Sequence, residues 1–255
     1  MVFFENDSAC RGSQSFLGER VKDGVLGMRN LARTFTQRSK LVLKRIEETV
    51  NRVVSPDERK FRRIWPAVDS IEGMLVSPLQ ERWLFKMASS LPDGARILEI
   101  GSFKGRSTVC IAYGCLGTRR HVFTIDTFKG VYQDVKHRKD LATIFAEGFF
   151  DEWRANIERN NLSGYVTPLV GHSCKIARIW AAPIHMLFID GSHQFEDVMA
   201  DFANFYPYVV PDGIIALHDV TPNWKGPYRV WHENIKQQLK HTGSISTLSY
   251  GRKPS

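Results

Sequence analysis

Two short stretches of this 255-residue chain place acidic side chains beside histidine at spacings that could do chemistry. In Phe188-Ile-Asp190-Gly-Ser-His193 a carboxylate ends an apolar run, and a histidine follows three residues later. In Ile214-Ile-Ala-Leu-His-Asp219 an apolar run again ends in a histidine and a carboxylate. Histidine titrates near neutral pH and suits the removal of a proton from a hydroxyl. Asp190 and Asp219 could share one hard divalent cation, which would orient acceptor oxygens and lower their pKa.

Four apolar runs of the chain end in polar groups. They end at Gly101-Ser102, Asp126, Asp190 and His218-Asp219. Each group alone could be a helix cap, and a lone histidine near a helix start is often a cap or a surface residue. The carboxyl ends of parallel strands meet at one edge of a sheet, however, and ligands bind there where the strand order reverses. The joint placement therefore favours a single site over four separate caps.

A glycine turn follows the first of these runs, in Arg96-Ile-Leu-Glu-Ile-Gly-Ser-Phe-Lys-Gly105. Glycines let a ligand approach the backbone, and free amides at the following helix start point outward. The spacing lacks the third glycine and the Gly-Lys-Ser/Thr ending of dinucleotide and phosphate loops, which disfavours a nicotinamide dehydrogenase. Asp126, about 20 residues further on, could accept ribose hydroxyls. Glu99 could stabilise the turn or hold a cofactor ammonium, and Ser173 could face an adenine.

The elements that must position these residues alternate between strand and helix. Solidly apolar strands that alternate with helices predict an α/β, doubly wound, mostly parallel sheet with both faces covered. Pro168 places the third strand near a sheet edge. Strands are predicted at 97–100, 121–126, 165–171, 184–190, 214–219 and 245–250, and helices from 77, from 107, and over 145–161, 173–180, 195–208 and 225–240.

Composition and charge narrow the class of protein. The chain is 43% hydrophobic and 24% charged, which is ordinary for a soluble globular protein. No apolar run could span a bilayer, and the first residues lack a signal-peptide pattern. Four cysteines without framework spacing favour free thiols and a cytoplasmic location.

The net charge of +8 is concentrated at the N-terminal end. Residues 1–66 hold 14 Lys and Arg against 8 Asp and Glu. A solvated helical face explains this better than a polyanion-binding surface. We expect residues 1–65 to form a helical extension that packs on the core, caps the site or mediates dimerisation. Residues 66–255 are expected to form the catalytic domain.

Four stretches together resemble class I S-adenosylmethionine-dependent methyltransferases, in the branch of sugar and macrolide O-methyltransferases and cephalosporin-hydroxylase-like proteins. They are Glu99-Ile-Gly-Ser-Phe-Lys-Gly-Arg-Ser107, Ile125-Asp-Thr-Phe-Lys-Gly130, Phe188–His193 and Pro211–Asp219. The resemblance implies a Rossmann-like fold, S-adenosylmethionine as methyl donor, and a small-molecule hydroxyl, of sugar or natural-product type, as acceptor. The cofactor contacts that it implies are Glu99, Gly101, Ser102, Phe103, Gly105, Ser107, Asp126, Thr127, Ser173 and Asp190.

The resemblance also implies that His193 is the general base and that Asp190 and Asp219 bind magnesium. The family often has an acid or amide pair at the end of the fifth strand, where this chain has His218-Asp219. Imidazole is a poor magnesium ligand, so His218 indicates another cation or no metal. The family's sheet ends in a hairpin, whereas only Ile245–Tyr250 is predicted here. Either the last strand is missing or another segment, or a subunit of a homo-oligomer, covers that edge.

Two other functions stay open. A nucleic-acid methyltransferase could dock through the basic N-terminal helix, although the chain lacks the Asn/Asp-Pro-Pro-Tyr motif of base-amine methylases. A non-catalytic cofactor-binding or scaffold protein could keep the fold without turnover. Substrate contacts come from loops that carry no readable code, so the sequence does not name the acceptor.

Overall fold

The structure is a computed structural model that describes residues 55–73, 77–129 and 148–255. The helical extension predicted for residues 1–65 lies outside these ranges apart from residues 55–65, and Gly130 also lies outside them. The chain divides into two compact units, Met1–Pro56 and Asp57–Ser255, and the description below concerns the second.

The described part of the chain alternates helices and strands. The strands are β1 Arg96–Ile100, β2 His121–Asp126, β3 Val166–Val170, β4 Ile184–Ile189, β5 Val209–Leu217, β6 Lys240–Ile245 and β7 Leu248–Arg252. The α-helices are α1 Pro56–Asp69, α2 Pro78–Ser90, α3 Arg106–Tyr113, α4 Phe150–Arg159, α5 Ser173–Ala177, α6 Phe195–Phe205 and α7 Lys225–Val230. A π-helical segment, Trp231–Ile235, continues α7.

The strands form one sheet in the order β3-β2-β1-β4-β5-β7-β6. β1 to β5 are parallel, and β7 lies antiparallel between β5 and β6. The predicted doubly wound, mostly parallel sheet is thus confirmed. β3, which holds Pro168, is an edge strand of this sheet. The strand order reverses between β1 and β4, and open α/β sheets bind ligands beyond the carboxyl ends of the strands at such a point.

The C-terminal hairpin corrects the prediction of a single last strand at Ile245–Tyr250. Ile245 ends β6 and Leu248 begins β7, and the two strands are joined by a two-residue turn. β6 is largely polar and has no buried residue, so it carries no apolar pattern. Ser246 adopts φ +53° without the glycine that usually marks such a turn. The hairpin that the family's sheet ends in is therefore present within this chain.

Apolar residues pack against both faces of the sheet. Ile97 belongs to a layer built with α1, α2, α3 and α4. Leu98 and Ile100 belong to a second layer built with α6, α7 and the π-helical segment. Cys110 and Cys115 are buried free thiols in the first layer. Among the described residues, no helix is long and apolar enough to cross a membrane.

Candidate active site

The bend after β1 is clamped against the loop after β4. The Gly101 amide donates to the carbonyl of Ile125, 2.8 Å away, and the Asp190 amide donates to the carbonyl of Ile100 at 2.7 Å. Gly101 adopts φ +86°, and a Cβ atom there would lie 2.1 Å from the Asp190 carbonyl oxygen. Only glycine fits this close approach, so the bend and the first site carboxylate share one rigid backbone junction.

The Asp126 carboxylate organises the same bend. Its Oδ2 accepts hydrogen bonds from the amides of Ser102, at 2.8 Å, and Phe103, at 2.9 Å. Its Oδ1 accepts from the Phe128 amide at 2.7 Å. Burial raises the pKa of Asp126, although these amides favour the ionised form. The structure thus brings Asp126 to the glycine bend, with half-buried Thr127 beside it.

Glu99 and Ser107 lie behind the bend. The Ser107 and Thr108 hydroxyls donate to the two oxygens of Glu99, at 2.6 and 2.5 Å. Glu99 is fully buried, and this burial raises its pKa to about 7 against the effect of the hydroxyls. These contacts tie β1 to α3. They correspond to the alternative in which Glu99 stabilises the turn and does not hold a cofactor ammonium. In this arrangement neither Glu99 nor Ser107 presents a side chain to the crevice.

The start of α3 contains a buried lysine that sequence patterns did not mark. Lys104 has a side chain only 7% exposed and pairs with Glu72, at 2.5 Å, and Glu152, at 3.0 Å. Gly105 follows at φ +90°, and a Cβ there would lie 2.9 Å from the Trp153 ring. The ion pairs and this close contact hold the far side of the bend against α4.

Two acids and two histidines meet where β4 and β5 end. His218 Nδ1 lies 2.9 Å from Asp190 Oδ1 and 3.3 Å from Asp219 Oδ2. His193 Nε2 lies 2.9 Å from the same Asp219 oxygen. His218 is 2% exposed, whereas the other three residues are half-buried. Asp219 adopts φ +55°, an uncommon conformation for a residue other than glycine. In this conformation its carboxylate lies beside His193 and His218.

The two carboxylates require positive charge between them. Burial alone would lower the pKa of His218, but Asp190 and Asp219 outweigh it and raise that pKa to about 10. Burial would likewise raise the pKa of Asp219, but hydrogen bonds from His193 and His218 hold it well below its usual range. A protonated His218 therefore offsets one of the two negative charges, and a divalent cation in place of its Nδ1 proton would offset both.

The cluster has the spacing of a cation site. The ligand atoms of Asp190, His218 and Asp219 all lie within 4.8 Å of one another. Neighbouring ligands of an octahedral ion are about 3 Å apart when both bonds are about 2.1 Å long, and the two nitrogen–oxygen distances match this edge. One imidazole with two carboxylates suits manganese, iron or zinc better than magnesium. The residues present therefore fit a divalent transition metal.

Trp224 is a site residue that sequence reasoning missed. Its indole stacks on the His193 imidazole, with ring centroids 3.9 Å apart and an interplanar angle of 18°. Trp224 is 42% exposed, so part of its surface remains accessible to solvent. The available signal was an aromatic residue in the loop directly after His218-Asp219. Stacking restricts the imidazole and would stabilise positive charge on it.

Ser173 lies at the start of α5. Its hydroxyl donates to Oδ1 of Asp201, a buried acid of α6. Burial raises the pKa of Asp201 to about 6, against the effect of the Ser173 hydrogen bond. The side chain of Ser173 is therefore already engaged within the protein.

Comparison with known proteins finds a family match for the middle of the chain. Residues 98–220 match the family model described as a methyltransferase domain. A curated relative from Sinorhizobium fredii, the uncharacterized protein y4gI, is 27% identical over 145 residues. That alignment covers 54% of this chain but only 15% of the relative, so this chain spans a small part of the relative's length.

Solved structures share the fold at low identity. The O-methyltransferase NovP superposes with a TM-score of 0.58 at 16% identity, over 71% of this chain and 82% of NovP. The methyltransferase PaMTH1 of Podospora anserina, solved with S-adenosylhomocysteine, gives a TM-score of 0.57 at 14% identity, over 82% and 97%. Residues 98–220 thus match a methyltransferase domain, and the sheet has the fold that these solved methyltransferases share. The predicted resemblance is confirmed.

Proposed function

We propose that this protein transfers the methyl group of S-adenosylmethionine to a hydroxyl of a small molecule. One observation supports the proposal: two groups of residues lie at the same edge of the sheet. The first is the glycine bend with Asp126, and the second is the cluster of Asp190, His193, His218 and Asp219. The first group suits the nucleoside and amino-acid parts of the donor, and the second suits a hydroxyl that must lose a proton. NovP, a structural neighbour, is itself named an O-methyltransferase.

The bend fits the donor through Asp126. Amides of Ser102, Phe103 and Phe128 hold both oxygens of Asp126 at the bend, where this half-buried carboxylate could also accept a ribose hydroxyl. Half-buried Gly101 and Phe103 border the crevice beside it, where they could contact the remainder of the donor.

His193 is our candidate for the general base. It would take the proton of the acceptor hydroxyl as that oxygen bonds to the methyl carbon and the carbon–sulfur bond breaks, which leaves a neutral thioether. Asp219 and the Trp224 ring would then stabilise the imidazolium. Asp190, His218 and Asp219 would hold a divalent cation, which supplies orientation of the acceptor oxygen and a lower pKa for it.

Two substitutions test this division of roles. We expect His193→Ala to lose at least about 100-fold in turnover while its affinity for S-adenosylhomocysteine stays within about twofold. We expect Asp126→Ala to lose at least about tenfold in that affinity. The backbone amides of the bend lose their acceptor in this variant, and the ribose loses its hydrogen-bond partner. Calorimetry with S-adenosylhomocysteine gives the affinities. Turnover is measured as the formation of S-adenosylhomocysteine from S-adenosylmethionine in the presence of a panel of sugars, nucleotide sugars and phenols.

His232→Ala is the matched control, because His232 is an exposed histidine of the π-helical segment whose ring contacts that of Tyr228. It should leave both quantities unchanged. Equal loss of S-adenosylhomocysteine binding in the His193 and Asp126 variants would contradict the proposed roles. Absence of binding by the wild-type chain would contradict the methyl-donor assignment itself.

A further inference from the structure

Both ring nitrogens of His218 lie close to polar side chains, and only one of them faces the acids. Nδ1 faces Asp190 and Asp219, while Nε2 lies 3.2 Å from the hydroxyl of Thr247. Thr247 lies in the turn between β6 and β7, and its carbonyl accepts from the Val220 amide at 2.8 Å. The turn is therefore fastened directly beside the end of β5.

A buried amide from α2 completes the contact. Gln80 is fully buried, and its Nε2 donates to Thr247 Oγ1 at 2.8 Å and to the Ile245 carbonyl at 3.4 Å. A carbonyl can only accept, so the nitrogen of Gln80, not its oxygen, must face the turn. Thr247 Oγ1 is then an acceptor toward Gln80 and keeps one lone pair and its own proton for His218.

This arrangement can hold the His218 ring in either protonation state of Nε2. The Thr247 hydroxyl accepts from a protonated Nε2 and donates to an unprotonated one. A half-turn of the ring would exchange Nδ1 for a carbon atom and turn nitrogen away from both carboxylates. The hydroxyl opposes that rotation, because the half-turned ring would present carbon to Thr247 as well.

We propose that Gln80 and Thr247 are positioning residues that orient His218 Nδ1 toward Asp190 and Asp219 and so create the third ligand of the cation site. The inference rests on the proposed cation at this cluster. Residues that hydrogen-bond to a metal ligand typically contribute about 10- to 100-fold to metal affinity. Neither residue touches the reacting atoms, and both come from elements outside the glycine bend and the ends of β4 and β5.

The first test measures Mn²⁺ binding to the full chain by electron paramagnetic resonance. We expect Thr247→Val, which keeps the shape and loses the hydroxyl, to weaken Mn²⁺ binding at least tenfold. Thr247→Ser, which keeps the hydroxyl, should stay within about threefold of the wild type. Gln80→Met should show a smaller loss than Thr247→Val, because the hydroxyl remains. Thr242→Val, on the same hairpin, is the matched control and should bind like the wild type.

The second test reads the ring itself and needs no metal. Histidine ¹⁵N–¹H spectra of the metal-free chain, with the His218 signals assigned by their loss in His218→Gln, report which nitrogen carries the hydrogen bond. We expect Thr247→Val to shift the His218 ring nitrogens while Thr247→Ser leaves them in place.

The outcomes separate the two proposals. If the wild type binds no Mn²⁺, the proposed cation fails, and the spectra still decide whether Thr247 positions the ring. Unchanged His218 signals in a folded Thr247→Val chain would overturn the inference. Mn²⁺ affinity equal in Thr247→Val and the wild type would overturn it too.

Discussion

Glu99 should make the stability of this protein fall as pH rises toward neutrality. Burial raises the pKa of Glu99 from its ordinary value of 4.5 to about 7. Between these values the folded chain keeps a proton on Glu99 that the unfolded chain has lost. Stability from this group is therefore complete below pH 4.5 and is lost as pH rises through 7. A shift of this size corresponds to about 3 kcal/mol in the free energy of unfolding.

The substitution Glu99→Gln isolates this effect. Glutamine keeps the shape of the side chain, and the Ser107 and Thr108 hydroxyls can rotate to suit its oxygen and nitrogen. Urea unfolding of both chains at intervals from pH 4.5 to pH 8 gives the difference in unfolding free energy. We expect the wild type to lose about 3 kcal/mol relative to the variant across this range.

Other titrating groups cancel in that difference, because both chains contain them. The substitution Asp201→Asn provides a graded control. The pKa of Asp201 is raised from 3.8 only to about 6, so its effect on the unfolding free energy is complete at a lower pH than that of Glu99. A wild-type minus Glu99→Gln difference that stays constant with pH would refute the reasoning. It would mean that Glu99 remains ionised in the folded protein at low pH or is not buried.

Two further predictions concern stability. Gly101→Ala should lower the free energy of unfolding by well over the roughly 1–2 kcal/mol that a left-handed alanine costs, because its Cβ would lie 2.1 Å from the Asp190 carbonyl. Gly94 has a similar φ and no atom within 4 Å of a Cβ, so Gly94→Ala gives the conformational cost alone. Equal losses of unfolding free energy in the two variants would contradict a close contact between Gly101 and Asp190. Arg106→Met should cost roughly 3–5 kcal/mol, because Glu81, fully buried, loses the guanidinium 2.6 Å away, and a cost below 1 kcal/mol by urea unfolding would contradict this.

Apolar runs that end in polar residues made much of the sheet and the site readable. β1, β2 and β4 were predicted closely because each is a mostly apolar run, and Asp126 and Asp190 stand at the ends of such runs. Position along the chain was enough to gather these residues at one edge. Whether they act on a cofactor, a cation or a substrate proton stays a prediction.

The remaining features depend on contacts between distant residues. Gln80 and Thr247 are 167 residues apart in the chain, and neither belongs to a recognisable motif. β6 was missed because an exposed edge strand needs no apolar alternation. For Glu99, the two alternatives differ only in the direction of one carboxylate, which the packing of α3 against β1 decides.

The junction of Gly101 with Asp190 joins the two halves of the crevice mechanically. Each half would receive a different ligand, yet no side chain separates their backbones at this point. A ligand that displaced the bend would press on the Asp190 backbone, and the two binding free energies would then be coupled by the same amount in both directions.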